Sequence, residues 1–246
     1  MTRQLLVHDT PQTLAAAAAA RLVTEVVDAI AARGRAHVVL TGGSNGNALM
    51  AALAASPART AVDWHRVDFY WGDERFVPAD DDDRNEKQAR AALLDALDLD
   101  PRTVHAMPPS DGPDGDDVDA AANRYAADLV AAGGGAVPEF DVVLLGVGPD
   151  GHVASLFPGH PGLAVGDHSV IAVRESPKPP PTRITLTMPV LCSSRQVWLL
   201  ASGAGKAEAV AKALTPVPGE PTLPARRVHG EQRTLWFLDR ESAPAP

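Results

Sequence analysis

The sequence predicts an α/β fold, a mostly parallel central sheet covered by helices, and three observations carry that expectation. Short apolar runs rich in β-formers alternate with alanine-rich helical stretches. Glycine-bearing loops follow two of those runs, after HVVL and after DVVLLG. The chain has 246 residues and is 45% hydrophobic, enough for one substantial core. A single domain over residues 1–246 is expected.

Taken in order, a first strand starts by Leu5 and a helix begins near Pro11, where Thr10 can cap and proline suits the first turn. That helix ends before Gly34. HVVL precedes a helix near Gly46 to Ala55, and VDFYW precedes one over Asn85 to Leu97. DVVLLG and QVWLLAS are further strands that lead into helices. Pro108 to Asp117 and Gly133 to Pro138 read as surface loops. Asp80 to Asp83 reads as a solvated loop, because no ordered ligand spacing or histidine accompanies it. No repeat is present.

The net charge of -9, with Lys and Arg scattered, argues against nucleic acid or an anionic membrane surface as partner. An anionic ligand would have to be held by a few local groups. Cys192 is the one cysteine, so no intrachain disulfide forms; it is expected to be an inert residue in a reducing compartment. No run reaches the roughly 18 apolar residues of a membrane span, and the N-terminus lacks a cleavable apolar leader, which makes a cytoplasmic location the expectation.

Four segments could carry chemistry. Thr41-Gly42-Gly43-Ser44-Asn45-Gly46 joins a strand to a helix, where glycines allow close backbone approach and free N–H groups favour a phosphate. The same residues could be a tight turn with Ser44 as cap, or a G-x-S-x-G nucleophile elbow. Trp71-Gly72-Asp73-Glu74-Arg75 ends a strand at the edge where open α/β sheets place ligands, and Arg75 is its natural electrophile. A surface ion pair is the plainer alternative.

The third segment, residues 141–161, formally matches G-x-G-x-x-G after a strand, but lies past mid-chain and places Pro149 in the tight turn, so a dinucleotide site is rejected. Instead, Asp150 is expected to cap a short helix stopped by Pro158. His152 in its first turn would be kept neutral by the helix end and able to act as a base. A cap and a loop hydrogen-bonder with no catalytic part is the alternative, and His160 is expected to be structural. The fourth segment is a pair of basic sites, one running from Ser176 to Arg183 and one from Ser202 to Lys206. Lys206 would open a helix, where a cation suggests an anionic partner. The P-loop pattern fails, with Leu200 and Ala207 at its glycine and hydroxyl positions. The proline run reads as a rigid loop.

In order, TGGS, WGDERFVP, LLGVGPDGHVASLFPG, ESPKPPPTRITLT and SGAGKAEAV resemble the 6-phosphogluconolactonases of the pentose phosphate pathway over almost the whole chain. The resemblance implies a modified Rossmann-like sheet with helices on both faces, related to glucosamine-6-phosphate deaminases, and no metal or organic cofactor. It implies His152 as base beside Asp150, Asp73 and Arg75 lining the sugar, and Gly42, Gly43, Ser44, Arg183 and Lys206 as candidates for holding the phosphate. The partner would be a phosphosugar lactone, and the assembly a monomer or weak homo-oligomer. The chain departs from the commoner pattern at Asn45-Gly46, where Thr-Pro is frequent, and at Arg84, where Ser is frequent. A serine hydrolase using Ser44, an isomerase or deaminase with Asp73 as base, and a non-catalytic sugar-phosphate sensor are the alternatives.

Overall fold

A computed structural model describes residues 2–215, 219 and 221–244. The chain opens with strand β1 (Thr2–His8) and helix α1 (Pro11–Arg33). Thr10 and Thr13 exchange side-chain and backbone hydrogen bonds in a capping box, and Gly34, at φ 81°, ends the helix with its N–H on the Ile30 carbonyl. Leu14, Ala18, Leu22, Val26 and Ala29 recur at helical spacing and are buried.

Strand β2 (Ala36–Leu40), helix α2 (Gly43–Ala55) and strand β3 (Val67–Trp71) follow. Then come the short strand β4 (Asp73–Arg75), helix α3 (Asn85–Ala92), helix α4 (Val118–Ala132) and strand β5 (Val142–Gly146). The C-terminal part adds β6 (Val170–Val173), β7 (Arg183–Leu186), α5 (Met188–Cys192), β8 (Gln196–Ala201), α6 (Ala207–Leu214), α7 (Pro224–Arg227) and β9 (Arg233–Asp239). Helix α2 starts three residues earlier than the sequence suggests. Helix α3 stops at Ala92, with a separate turn over Leu94–Ala96.

Six strands form one sheet in the order β1-β9-β8-β5-β2-β3, every neighbouring pair parallel. Strand β3 is buried at all five positions and β8 at all six, the near-continuous apolar pattern of strands covered on both faces. From β2 the chain adds β3 on one side, while β5 lies on the other. The crevice beyond the carboxyl ends of β2 and β5 is therefore a topological switch point, where sheets of this kind take their ligands. The Gly146 N–H donates to Thr41 Oγ1 across that crevice at 3.3 Å.

A second sheet, antiparallel in the order β4-β7-β6, was not expected from the sequence. Gly72 is the corner between the two sheets, its N–H on the Leu40 carbonyl and its carbonyl taking the Leu186 N–H. Asp73 lies opposite Thr185 and Arg75 opposite Arg183, so this sheet carries part of the crevice wall.

The helix expected at Asp150 does not form. Gly148 donates to the His152 carbonyl while Gly151, at φ 80°, donates back to the Gly148 carbonyl, closing a tight loop instead. Ala154 follows in the left-handed region at φ 49°. Without a helix the dipole argument for His152 falls away. Cys192 is half-buried at the end of α5, where burial pushes its thiol pKa up and leaves little reactive thiolate. Among the described residues no helix is long and apolar enough to cross a membrane.

Candidate active site

The crevice is a cleft of about 250 Å³, lined by Gly42, Gly43, Ser44, Asp73, Arg75, His152, Arg183 and Lys206 among others. Asp150 is not on its surface but touches two groups that are. His152 Nδ1 lies 2.5 Å from Asp150 Oδ1, and Lys178 Nζ is 3.9 Å from the same oxygen. Burial opposes ionisation of Asp150, but the hydrogen bond to His152 and the charges of His152 and Lys178 hold its pKa at about 2. An ionised Asp150 accepts the Nδ1 proton, so the tautomer it selects carries its lone pair on Nε2. The imidazole packs against Phe157 with ring centroids 4.5 Å apart, and a Cβ on Gly148 would lie 2.0 Å from Nδ1. Glycine at 148 is what lets the ring lie flat on the loop.

Asp73 is buried at the start of β4. Its Oδ2 accepts from Ser155 Oγ at 2.6 Å and lies 3.9 Å from an Arg183 nitrogen. Glu74, next to it, turns away from the cleft. Its carboxyl takes the N–H groups of Arg75, Asn85 and Glu86, capping α3 from a distance, with the fully buried Arg84 guanidinium 3.8 Å away. Burial pushes its pKa up to about 7 against the opposing pull of Arg84 and those N–H groups. Arg75 reaches the cleft, donates to the Asp83 carbonyl and keeps a buried Nε with no partner among the described residues.

The phosphate candidates divide. Gly42 occupies the N-cap position of α2 with no side-chain cap, and Ser44 lies inside the first turn, so the reading of Ser44 as cap fails. The first N–H groups of α2 are thereby left free at the cleft. Gly42 is forced by close approach, because a Cβ there would meet Asn85 Oδ1 at 1.8 Å. Lys206 precedes α6 at its N-cap. Burial, then repulsion from Lys178, lowers its pKa, with Asp150 opposing. Arg183 is mostly committed elsewhere: it donates to the carbonyls of Lys178, Pro179 and Pro180 at 3.1 Å each and sits 5.8 Å over Phe157. Its main local effect is to hold the proline loop that presents Lys178.

The unusual Asn45-Gly46 pair has a physical reason. Asn45 accepts from Ser202 Oγ at 2.6 Å, tying the α2 turn to the loop before Lys206, and a Cβ on Gly46 would meet the Thr41 carbonyl at 2.2 Å. Asp239 fixes the other side of that loop through both carboxylate oxygens on the Gly203 N–H.

Lys178, Asn85 and Ser155 are the residues that sequence reasoning missed. Lys178 lies in the same basic segment as Arg183, and the sequence does not say how each of the two cations is used. Asn85 and Ser155 carry no local signal, because their partners are the Asp73 carbonyl and the Asp73 carboxylate. Ser44 makes no hydrogen bond to a histidine among the described residues, which removes the geometric basis for a serine nucleophile. His160 bonds the Gly162 N–H and the Arg174 carbonyl, the structural part expected of it.

Residues 9–236 match the family described as glucosamine-6-phosphate isomerases/6-phosphogluconolactonase. The chain is 58% identical over 246 residues to the 6-phosphogluconolactonase of Streptomyces coelicolor, with 98% of this chain and 94% of the relative covered. It is 52% identical over 235 residues to that of Mycobacterium tuberculosis, covering 94% and 93%. Among solved structures, the 6-phosphogluconolactonase of Trypanosoma brucei superposes with a TM-score of 0.84 at 31% identity, covering 98% of this chain and 97% of that one. The chain belongs to the glucosamine-6-phosphate isomerase/6-phosphogluconolactonase family.

Proposed function

We propose that this chain hydrolyses 6-phospho-D-glucono-1,5-lactone to 6-phosphogluconate, the lactone step of the oxidative pentose phosphate pathway. The observation that carries the reading is one small cleft shared by a carboxylate-oriented imidazole, two lysines and an uncapped helix N-terminus. The lysines and the α2 N–H groups suit a phosphate, and anchoring that end fixes the lactone carbonyl at a set distance from the imidazole. His152 Nε2 takes a proton from water as it attacks the carbonyl carbon, then returns it to the ring oxygen when the tetrahedral intermediate collapses. Asp150 holds the ring in the productive tautomer. Arg75 and the nearby Arg183 guanidinium, both lining the cleft, are the cations that can face the developing oxyanion. Asp73 lines the sugar.

A deaminase or isomerase would use Asp73 to abstract a carbon-bound proton. Here that carboxylate is occupied by Ser155 Oγ, which favours a binding part for it. The test is a coupled assay of 6-phosphogluconate formation at slightly acidic pH, where spontaneous lactone opening is slow, run beside ammonia release from glucosamine 6-phosphate. Lactone turnover far above the spontaneous rate is expected, with no ammonia; ammonia release without lactone turnover overturns the reading.

A further inference from the structure

Strand β1 closes one end of the parallel sheet, bonded to β9 and, among the described residues, to no strand on its other side. Of the three large apolar side chains exposed among the described residues, two are on it: Leu5 is 46% and Val7 53% exposed. They share a face, because side chains two apart on a strand do. On the opposite face Gln4 is exposed while Leu6 and His8 are half-buried against the core, so the face that carries Leu5 and Val7 is the open one. A long, apolar, unprotected edge strand is a template for pairing with another strand.

The sequence of the edge is self-complementary. When two copies of residues 3–9 run antiparallel with Leu6 on the two-fold axis, Leu5 falls opposite the partner's Val7 and Arg3 opposite the partner's Asp9, each twice. The charges at the ends are suited to it. Arg3 touches the Arg226 carbonyl at 3.5 Å and faces the like charge of Arg226, with no carboxylate beside it among the described residues. Asp9 is exposed and bonded through Oδ1 to Arg240. We propose that this protein forms a symmetric dimer by antiparallel pairing of β1 with β1 of a second copy, joining two six-stranded sheets into one. One strand pair and a small apolar patch lie at the low end of specific interfaces, below about 1,200 Å². The dimer therefore dissociates on dilution through the micromolar range.

Sedimentation of the full chain over a dilution series tests this, with lactone turnover as the check that each variant is folded. The parent is expected to pass from dimer to monomer, and Leu5→Lys to stay monomeric with unchanged turnover. Arg3→Asp and Asp9→Arg each place like charges opposite one another twice and are expected to weaken association about tenfold. The double reversal restores it. A parent that is monomeric at every concentration, a dimer undiminished by Leu5→Lys, or a double reversal no better than the singles would overturn the proposal.

Discussion

Two of the imidazoles bonded to aspartates, His152 and His105, are about equally buried, and they lie at opposite ends of the strands. His152 Nδ1 meets Asp150 beyond the carboxyl end of β5, while His105 Nε2 meets Asp68 Oδ1 at 3.0 Å near the amino end of β3. The His152 and His105 side chains are 14% and 16% exposed. What differs is the company. Asp68 is also bonded to Arg35 Nε at 2.7 Å, with His37 3.9 Å away, and Tyr70 stacks on His105 with centroids 4.5 Å apart. Both carboxylate oxygens of Asp68 are thereby engaged. At the other end, Asp150 serves His152 alone at close range, and the neighbouring Lys206 and Lys178 repel one another. On the proposed function, the pair set among candidate phosphate-holding groups is the one that serves catalysis.

The largest expected effect breaks this comparison directly. His152→Ala should lower kcat by about 10²- to 10⁴-fold, the range of a lost general base, with substrate affinity kept. His105→Ala should leave turnover within a few-fold. Steady-state kinetics on the lactone decide it, and equal losses in both variants would mean that the two pairs are not functionally distinct.

Glu74, which turns away from the cleft, contrasts with Asp150, whose pKa is lowered. Its pKa lies at about 7 in the folded chain, above the ordinary glutamate value, so the folded state binds the proton more tightly than the unfolded one. Its contribution is fully present below the unfolded pKa and is lost as pH rises through about 7, amounting to roughly 3 kcal/mol. Urea unfolding of the parent between acid and neutral pH should show stability falling in that window. Glu74→Gln should flatten that part of the slope, and an unaltered slope would place the titration elsewhere.

These two regions also mark what the sequence made legible. The parallel sheet and α1 were readable because largely apolar strands and a capped 23-residue helix carry long local patterns. The antiparallel sheet was not, since β4 has three residues and β6 and β7 four each, too short to display alternation. Asp150-Gly151-His152 looked like a helix start because aspartate before a polar turn usually is one. The left-handed Gly151 and the Gly148 to His152 bond were tertiary facts. The ordered motifs gathered most of the cleft, but not how each cation is spent: Arg183 lines it while held by backbone carbonyls, and Lys178 brings a second cation to the same wall.

That use of the cations sets the next prediction. Removing one charge-assisted contact to a bound phosphate costs about 1.5–3 kcal/mol, so Lys206→Ala should raise KM about ten- to hundredfold with kcat little changed. Lys178→Ala should follow the same direction with a smaller change, because its ammonium also answers Asp150. A fall in kcat at constant KM would move Lys206 from the phosphate to the reacting end.

The smallest effects separate the two adjacent glycines of the α2 turn. Gly43 sits at φ 76° with nothing within 4 Å of an added Cβ, so Gly43→Ala meets only backbone strain, about 1–2 kcal/mol. Gly42 has ordinary negative φ, yet its Cβ would collide with Asn85 Oδ1, so Gly42→Ala meets overpacking, about 1–3 kcal/mol. The totals overlap, but the causes respond differently to a second change. Asn85→Ala should recover part of the Gly42→Ala loss and none of the Gly43→Ala loss, giving a non-additive pair beside an additive one in unfolding measurements. Equal coupling in both cycles would mean that the turn moves as a unit, and that Gly42 is held by its backbone conformation and not by the asparagine packed against it.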